Sequence, residues 1–191
     1  MQRLLHLRSL SDYEQITNGI YFACCVKHSY VSKNTLEELI METIKKTIEV
    51  EQPIRTVYNQ WTQFEDFPRF MKGVKRVTQL DDRRLHWEAE IAGKDKEWDA
   101  RITDQVPDHV ISWQSDGGEY TSGAVNFTPV GPNRTQISLQ LTYEPEGFVE
   151  KTGDALGVVS SRVEGDLERF KKFIENRGQE TGAWRGTIRE S

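Results

Sequence analysis

Apolar residues recur at every second position through the middle of the chain and at every third or fourth near its end. The alternation over Thr43–Glu51, with Ile44, Lys46, Ile48 and Val50 in one phase, predicts a strand. Pro53 is then placed for the first turn of a helix with Val57, Tyr58 and Trp61 on its apolar side. A second short helix is expected over Glu65–Met71, where Phe64, Phe67, Phe70 and Met71 form a dense apolar cluster that Gly73 closes. Six strands at hairpin spacing follow: Val74–Leu80, Arg84–Ala92, Glu97–Val106, His109–Ser115, Tyr120–Val130 and Thr135–Tyr143. Turn signals at Asp81-Asp82, Gly93, Pro107-Asp108, Asp116-Gly117-Gly118 and Gly131-Pro132-Asn133 separate them.

The last of these strands alternates most cleanly, with Ile137, Leu139, Leu141 and Tyr143 against Gln136, Ser138, Gln140 and Thr142. That pattern describes an antiparallel sheet wet on one face and covered on the other. The cover is legible in Asp154–Arg177, where Leu156, Val159, Val163, Leu167, Phe170 and Ile174 share one helical face. Asp154 suits the N-cap and Gly178 a left-handed C-terminal stop. Such a helix is about 30 Å long, enough to cross a small domain. Strand, two short helices, six strands and one long helix make an α+β chain with its helices gathered on one face of the sheet.

Composition narrows the function. The chain has 191 residues, 36% hydrophobic and 29% charged, consistent with one folded domain plus extensions. A net charge of −5 argues against nucleic acid as a partner, and no apolar run reaches transmembrane length. The two cysteines, Cys24 and Cys25, are adjacent, so they cannot form an ordinary framework disulfide. Reduced thiols in a cytoplasmic protein are the expectation. Residues 1–40 lack the strong patterning that begins at Met41 and are expected to be an N-terminal extension, with 41–178 the folded domain and 179–191 a tail. Translation starting at Met41 would account for the contrast.

Several phrases carry a resemblance: Pro53-Ile54-Arg55-Thr56-Val57-Tyr58, Phe64-Glu65-Asp66-Phe67-Pro68-Arg69-Phe70-Met71, His86-Trp87, Glu97-Trp98-Asp99-Ala100, Tyr143-Glu144-Pro145-Glu146-Gly147 and Gly165-Asp166-Leu167-Glu168-Arg169-Phe170-Lys171. With the element order, they make Met41–Trp184 resemble the SRPBCC superfamily, also called the START, Bet v 1-like or helix-grip fold. Within it the chain is similar to bacterial polyketide cyclase/dehydrase-like proteins, related to the coenzyme Q-binding START group. The resemblance implies a curved antiparallel sheet of about seven strands wrapped around the long C-terminal helix. It also implies an elongated apolar cavity between them for lipids, quinones, sterols or polyketides.

Catalytic signals are sparse. His6, His28, His86 and His109 fall in no zinc-binding spacing, and no nucleophile elbow or phosphate cradle occurs. Strand phase puts His86 on the polar side, where a surface residue is the stronger reading than a rim acid or base. Neither a metal nor a cofactor is expected.

The positive signal is aromatic: Trp87, Trp98, Trp113, Phe127 and Tyr143, one on each of five strands, all in the covered phase. Each alone reads as core filling. As a set they suit a ligand pocket, with Ile91, Leu141 and Val163 as further lining and Phe148 at the tip of a lid over Glu144–Gly153. Arg76, Arg101 or Arg162 could reach its mouth. Gly157, Ser160, Ser161 and Gly165 are small where a packed helix favours Leu or Ala, so either the sheet approaches closely or ligand space is left. The reading that follows is a carrier of a lipophilic small molecule (quinone, lipid or polyketide-like). The alternatives are a polyketide cyclase, aromatase or dehydratase, which needs chiefly a shaped cavity, and an interaction module using the exposed sheet or the tail around Trp184.

Overall fold

The computed structural model describes residues 41–91, 93–117, 121–144 and 155–189. The elements run β1 Glu42–Val50, α1 Ile54–Trp61, a 3₁₀ helix Phe64–Arg69, β2 Val74–Gln79, β3 Arg84–Ile91, β4 Lys94–Val106, β5 Val110–Ser115, β6 Thr121–Gly131, β7 Arg134–Tyr143, α2 Ala155–Arg177 and β8 Ile188–Arg189. Pro53 takes the position before α1, with φ −57°, one residue earlier than a first-turn proline. The second short helix differs from expectation in type. Pro68 lies inside it, and a proline nitrogen cannot donate to an α-helical ladder. In a 3₁₀ helix residues three apart eclipse, and Phe64, Phe67 and Phe70 follow that spacing, meeting edge-on or tilted with ring centroids 5.4 and 5.3 Å apart.

The sheet is antiparallel in the order β1-β7-β6-β5-β4-β3-β2, with β8 added to β4. It matches the expected curved sheet and C-terminal helix of the helix-grip, α+β class, with the short β8 as an addition. Its covered face holds Val77, Leu85, Ile102, Ile111, Val125, Phe127 and Ile137, all at most 2% exposed. Against them α2 sets Leu167, Phe170 and Ile174. Phe170 meets Trp61 edge-on at 4.7 Å and Phe70 at 5.1 Å, so the long helix, the 3₁₀ turn and α1 share one aromatic cluster. Gly178 ends α2 with φ +71° and its N–H on the Ile174 carbonyl at 2.9 Å, the expected left-handed stop. The capping role assigned to Asp154 lies outside the described residues.

Polar side chains of α2 fasten the β1 edge. Lys46 pairs with Glu164 at 2.6 Å, Lys171 donates to the Glu49 carbonyl at 2.6 Å, and the Glu51 N–H donates to Glu175 at 2.7 Å. A strand edge otherwise presents unpaired backbone groups, so these contacts both cover the edge and set the helix across the sheet.

The tail is built into the domain. α1 and the residue after it bury the polar Asn59, Gln60 and Thr62 to 2% exposure or less, a face that makes sense only when partners cover it. Residues 180–185 supply them. Glu180 accepts from Asn59 at 2.7 Å, the Thr181 N–H donates to Gln60 at 2.9 Å, and the Trp184 N–H donates to Thr62 at 3.0 Å. Arg185 makes a bidentate pair with Asp108 at 2.9 and 2.6 Å and lies over the Tyr58 ring. The segment then pairs with the stretch of β4 that β3 does not cover, Ile188 opposite Gln105, and buries Ile188 to 3%. A register shift between Ile102 and Asp104 turns Gln105 inward, where it donates to the Tyr58 hydroxyl at 3.2 Å.

Asp66 joins this network. Burial pushes its carboxyl up, but hydrogen bonds from Thr181, Gln60 and Arg69 outweigh that and hold it below its ordinary 3.8. A depressed folded-state value means stabilisation that is present above the unfolded value and lost as pH falls through the folded one. The tail, a strap across α1, has its own Glu180 held low in the same sense: burial raises it, and contacts led by Asn59 lower it more. Asp66→Asn is therefore expected to lower the urea midpoint at pH 7 and to shrink the fall in midpoint between pH 5 and pH 3.

Candidate functional site

Between the sheet and α2 lies a cavity of about 240 Å³. Its floor is the covered face of β3, β4 and β5: Leu85, Trp87, Ala89, Ile91, Trp98, Ile102, Ile111 and Trp113. One end wall comes from Trp61, Phe64, Phe67 and Met71, and the roof from α2. The roof residues Val158, Val159, Arg162, Val163, Asp166 and Leu167 recur at steps of one and three, the stripe that a helix turns to one side. Tryptophans aside, Thr121, Arg162 and Asp166 are the polar or charged side chains among the described lining residues.

The tryptophans are placed by strand register. Trp87 and Trp98 are directly opposed on β3 and β4, and their rings stack 5.8 Å apart with planes 8° from parallel. Cross-strand neighbours approach closely enough for such pairs. Trp113 is opposed by Gly123 on β6. A methyl group on Gly123 would fall on the Trp113 ring and 2.7 Å from the Gln140 carbonyl oxygen, so the glycine is what lets the indole lie flat over β6. Gly123→Ala is expected to cost about 1–3 kcal/mol through overpacking and to red-shift or quench part of the tryptophan emission as Trp113 is displaced.

Of the residues proposed from sequence as ligand contacts, Trp87, Ile91, Trp98, Trp113, Leu141 and Val163 line this cavity. Phe127 does not: it is packed edge-on against Tyr58 at 5.4 Å and Trp61 at 6.1 Å in the main core. Tyr143 joins Ile44 and Val159 in a second small cluster, its hydroxyl pushed to higher pKa by burial and by Glu42. Both share the sheet face with the tryptophans, but at positions where side chains of α1 or α2 already fill the space. Gly157 and Ser160 are not among the lining residues. At Gly165 a methyl group would come 3.0 Å from the Arg169 guanidinium, so this small residue makes room for a neighbour on its own helix rather than for ligand or sheet. Phe148 and its lid lie outside the described residues.

The outer face of the sheet is separate. His86 pairs across strands with Asp99 at 2.7 Å, and Arg76 with Glu88. Neither pair reaches the cavity. Among the described residues no cluster of three or more His, Cys, Asp or Glu is positioned to hold a metal, and no helix is long and apolar enough to cross a membrane.

At the α2 end the lining turns charged. Val158 lines the cavity yet is 60% exposed, which marks an opening there. One turn further on, Arg162 donates through Nη2 to the carbonyls of Lys72 and, at 3.2 Å, Glu90, lying against Gly73, whose φ of +82° and missing side chain admit it. Asp166 accepts the Lys72 N–H at 2.8 Å and pairs with Arg169, which also donates to the Phe70 carbonyl at 2.9 Å. Burial pushes the Asp166 carboxyl above its ordinary value despite these contacts. Three side chains of α2 thus clamp the turn between the 3₁₀ helix and β2 against the cavity's rim.

A long helix closing an apolar hollow over a curled antiparallel sheet has counterparts among known proteins. The sequence over residues 50–172 matches the family described as polyketide cyclase / dehydrase and lipid transport. The chain belongs to this family. An uncharacterized 17.2 kDa protein of Streptomyces lincolnensis is 49% identical over 149 residues, 78% of this chain and 99% of the relative. Among solved structures, a protein of Deinococcus radiodurans is 27% identical, with a TM-score of 0.57 over 72% of this chain and 99% of its own. The Zhui aromatase/cyclase of Streptomyces sp. R1128 shares 18% identity, with a TM-score of 0.61 over 75% of this chain and 99% of its own. A START superfamily protein of Mycobacterium smegmatis shares 19%, with a TM-score of 0.57 over 71% and 95%. The last two are likenesses of fold.

Proposed function

We propose that the protein binds and carries a lipophilic small molecule, a quinone, lipid or polyketide-like ring compound, in the cavity between sheet and α2. The observation that carries this reading is an apolar hollow of about 240 Å³ floored by three tryptophans. A volume somewhat below the usual 300–1,000 Å³ of small-molecule pockets suits a compact ring system better than a full acyl chain. The membership in a cyclase/dehydrase and lipid-transport family supports the same class of ligand.

Carriage rather than turnover is supported by the lining, where Asp166 is committed to Arg169 and Lys72 and, among the described residues, Thr121 is the one hydroxyl or imidazole group. The enzymatic alternative, cyclisation or dehydration of a bound polyketide, draws on the family description and would rest on Arg162 and Asp166. The net charge of −5 supports a partner other than nucleic acid, and Cys24-Cys25 supports a cytoplasmic location. Native mass spectrometry of the protein purified from its own cells is expected to show a 1:1 adduct that organic extraction removes. A single apo mass under gentle conditions would count against the reading.

A further inference from the structure

We propose that Arg162 makes the cavity a site for lipophilic acids, binding an anionic oxygen at its mouth while the ligand's apolar body lies among the tryptophans; this rests on the cavity being a ligand site. Three observations converge. Arg162 and Asp166 are the only charged residues of the described lining, and their commitments differ. Asp166 is occupied by Arg169 and the Lys72 N–H, whereas Arg162 spends only Nη2, on the Lys72 and Glu90 carbonyls. A guanidinium has five N–H donors, so Nε and Nη1 keep three without a partner among the described residues. The two carbonyls fix the head in place, so an arriving anion meets a donor already oriented, with little entropy left to lose.

The second observation is charge. Among the described residues, Arg162, Arg169 and Asp166 sum to one positive charge at this rim, and Asp166 takes its hydrogen bonds from Arg169 and the Lys72 N–H while Arg162 acts on it only through space. A charge-assisted hydrogen bond to an anionic oxygen is roughly twice as strong as a neutral one. The third is position. Arg162 is one turn from Val158, whose 60% exposure marks the open end. An ionised group held there stays close to water, so the desolvation penalty that would forbid it deeper inside is largely avoided.

The test uses two planar bicyclic compounds of nearly equal size, 2-naphthoate and neutral 2-acetonaphthone, titrated at pH 7 by quenching of the cavity tryptophans. The wild-type protein is expected to bind 2-naphthoate at least ten-fold more tightly. Arg162→Gln should bring the ratio near one through loss of 2-naphthoate affinity alone, and Arg162→Lys should retain part of it. Equal wild-type affinities would overturn the inference while leaving the cavity reading intact, and binding of neither compound would overturn both. A ratio unchanged in Arg162→Gln, or an equal loss for both compounds, would assign Arg162 only to holding the rim and overturn the inference. Should Arg162→Gln fail to fold, the wild-type ratio and Arg162→Lys decide it.

Discussion

Truncation after Gly178 is expected to destabilise the domain by about 3–6 kcal/mol, a large share of the 5–15 kcal/mol that holds a domain of this kind together. The loss has three parts. The hydrogen bonds that residues 180–185 make to Asn59, Gln60, Thr62 and Asp66 each contribute on the order of 1 kcal/mol. Ile188 is 3% exposed and Trp184 is packed against the core, so about 25 cal/mol per Å² of their apolar surface returns to water. Third, β4 regains a bare edge where β8 now pairs. Urea unfolding followed by circular dichroism should show a lower midpoint for the truncated chain. An unchanged midpoint would mean that the strap merely rests on α1. A tail so committed to its own domain is a poor free arm for recruiting a partner through Trp184.

The second large effect concerns the cavity itself. Val163 of α2 and Leu141 of β7 both line the cavity. In a filled core, Val163→Trp would force neighbours aside at about 1–3 kcal/mol or more. Here the indole has about 240 Å³ of apolar space to occupy, so stability is expected to stay within about 1 kcal/mol of wild type or to rise. Ligand affinity should fall by more than ten-fold. A variant that keeps its melting temperature and loses its ligand separates occupancy of the cavity from integrity of the fold.

Period and turn chemistry carried most of the architecture. Alternation over Thr135–Tyr143 and the three-four spacing from Val159 to Ile174 each report one buried face, and burial of one face is what selects strand or helix. What periodicity cannot report is depth. Trp113 and Phe127 share a sheet face, yet only Trp113 reaches the cavity, because Tyr58 and Trp61 of α1 come down on Phe127. That contact depends on where a helix crosses the sheet, which no local pattern encodes. The Phe64, Phe67 and Met71 wall is visible in the sequence as an apolar cluster, and the spacing of three from Phe64 through Phe67 to Phe70 is the sign that a 3₁₀ turn sets those rings along one side. Gly165 misled for a related reason: its small size serves Arg169 on the same helix. Whether the tail beyond Gly178 folds back is not decided by periodicity, because its partners are polar; the clue lies on α1, where Asn59 and Gln60 are buried beside Tyr58 and Trp61.

The central claim is that the space beneath α2 holds a lipophilic molecule. Its most direct test is a titration of wild type and Val163→Trp with 2-acetonaphthone, read by tryptophan quenching alongside each protein's melting temperature. Saturable 1:1 binding by wild type, lost in a variant that melts no lower, is the predicted result. No saturable binding by wild type, or equal affinity in a variant whose cavity is filled, would contradict it.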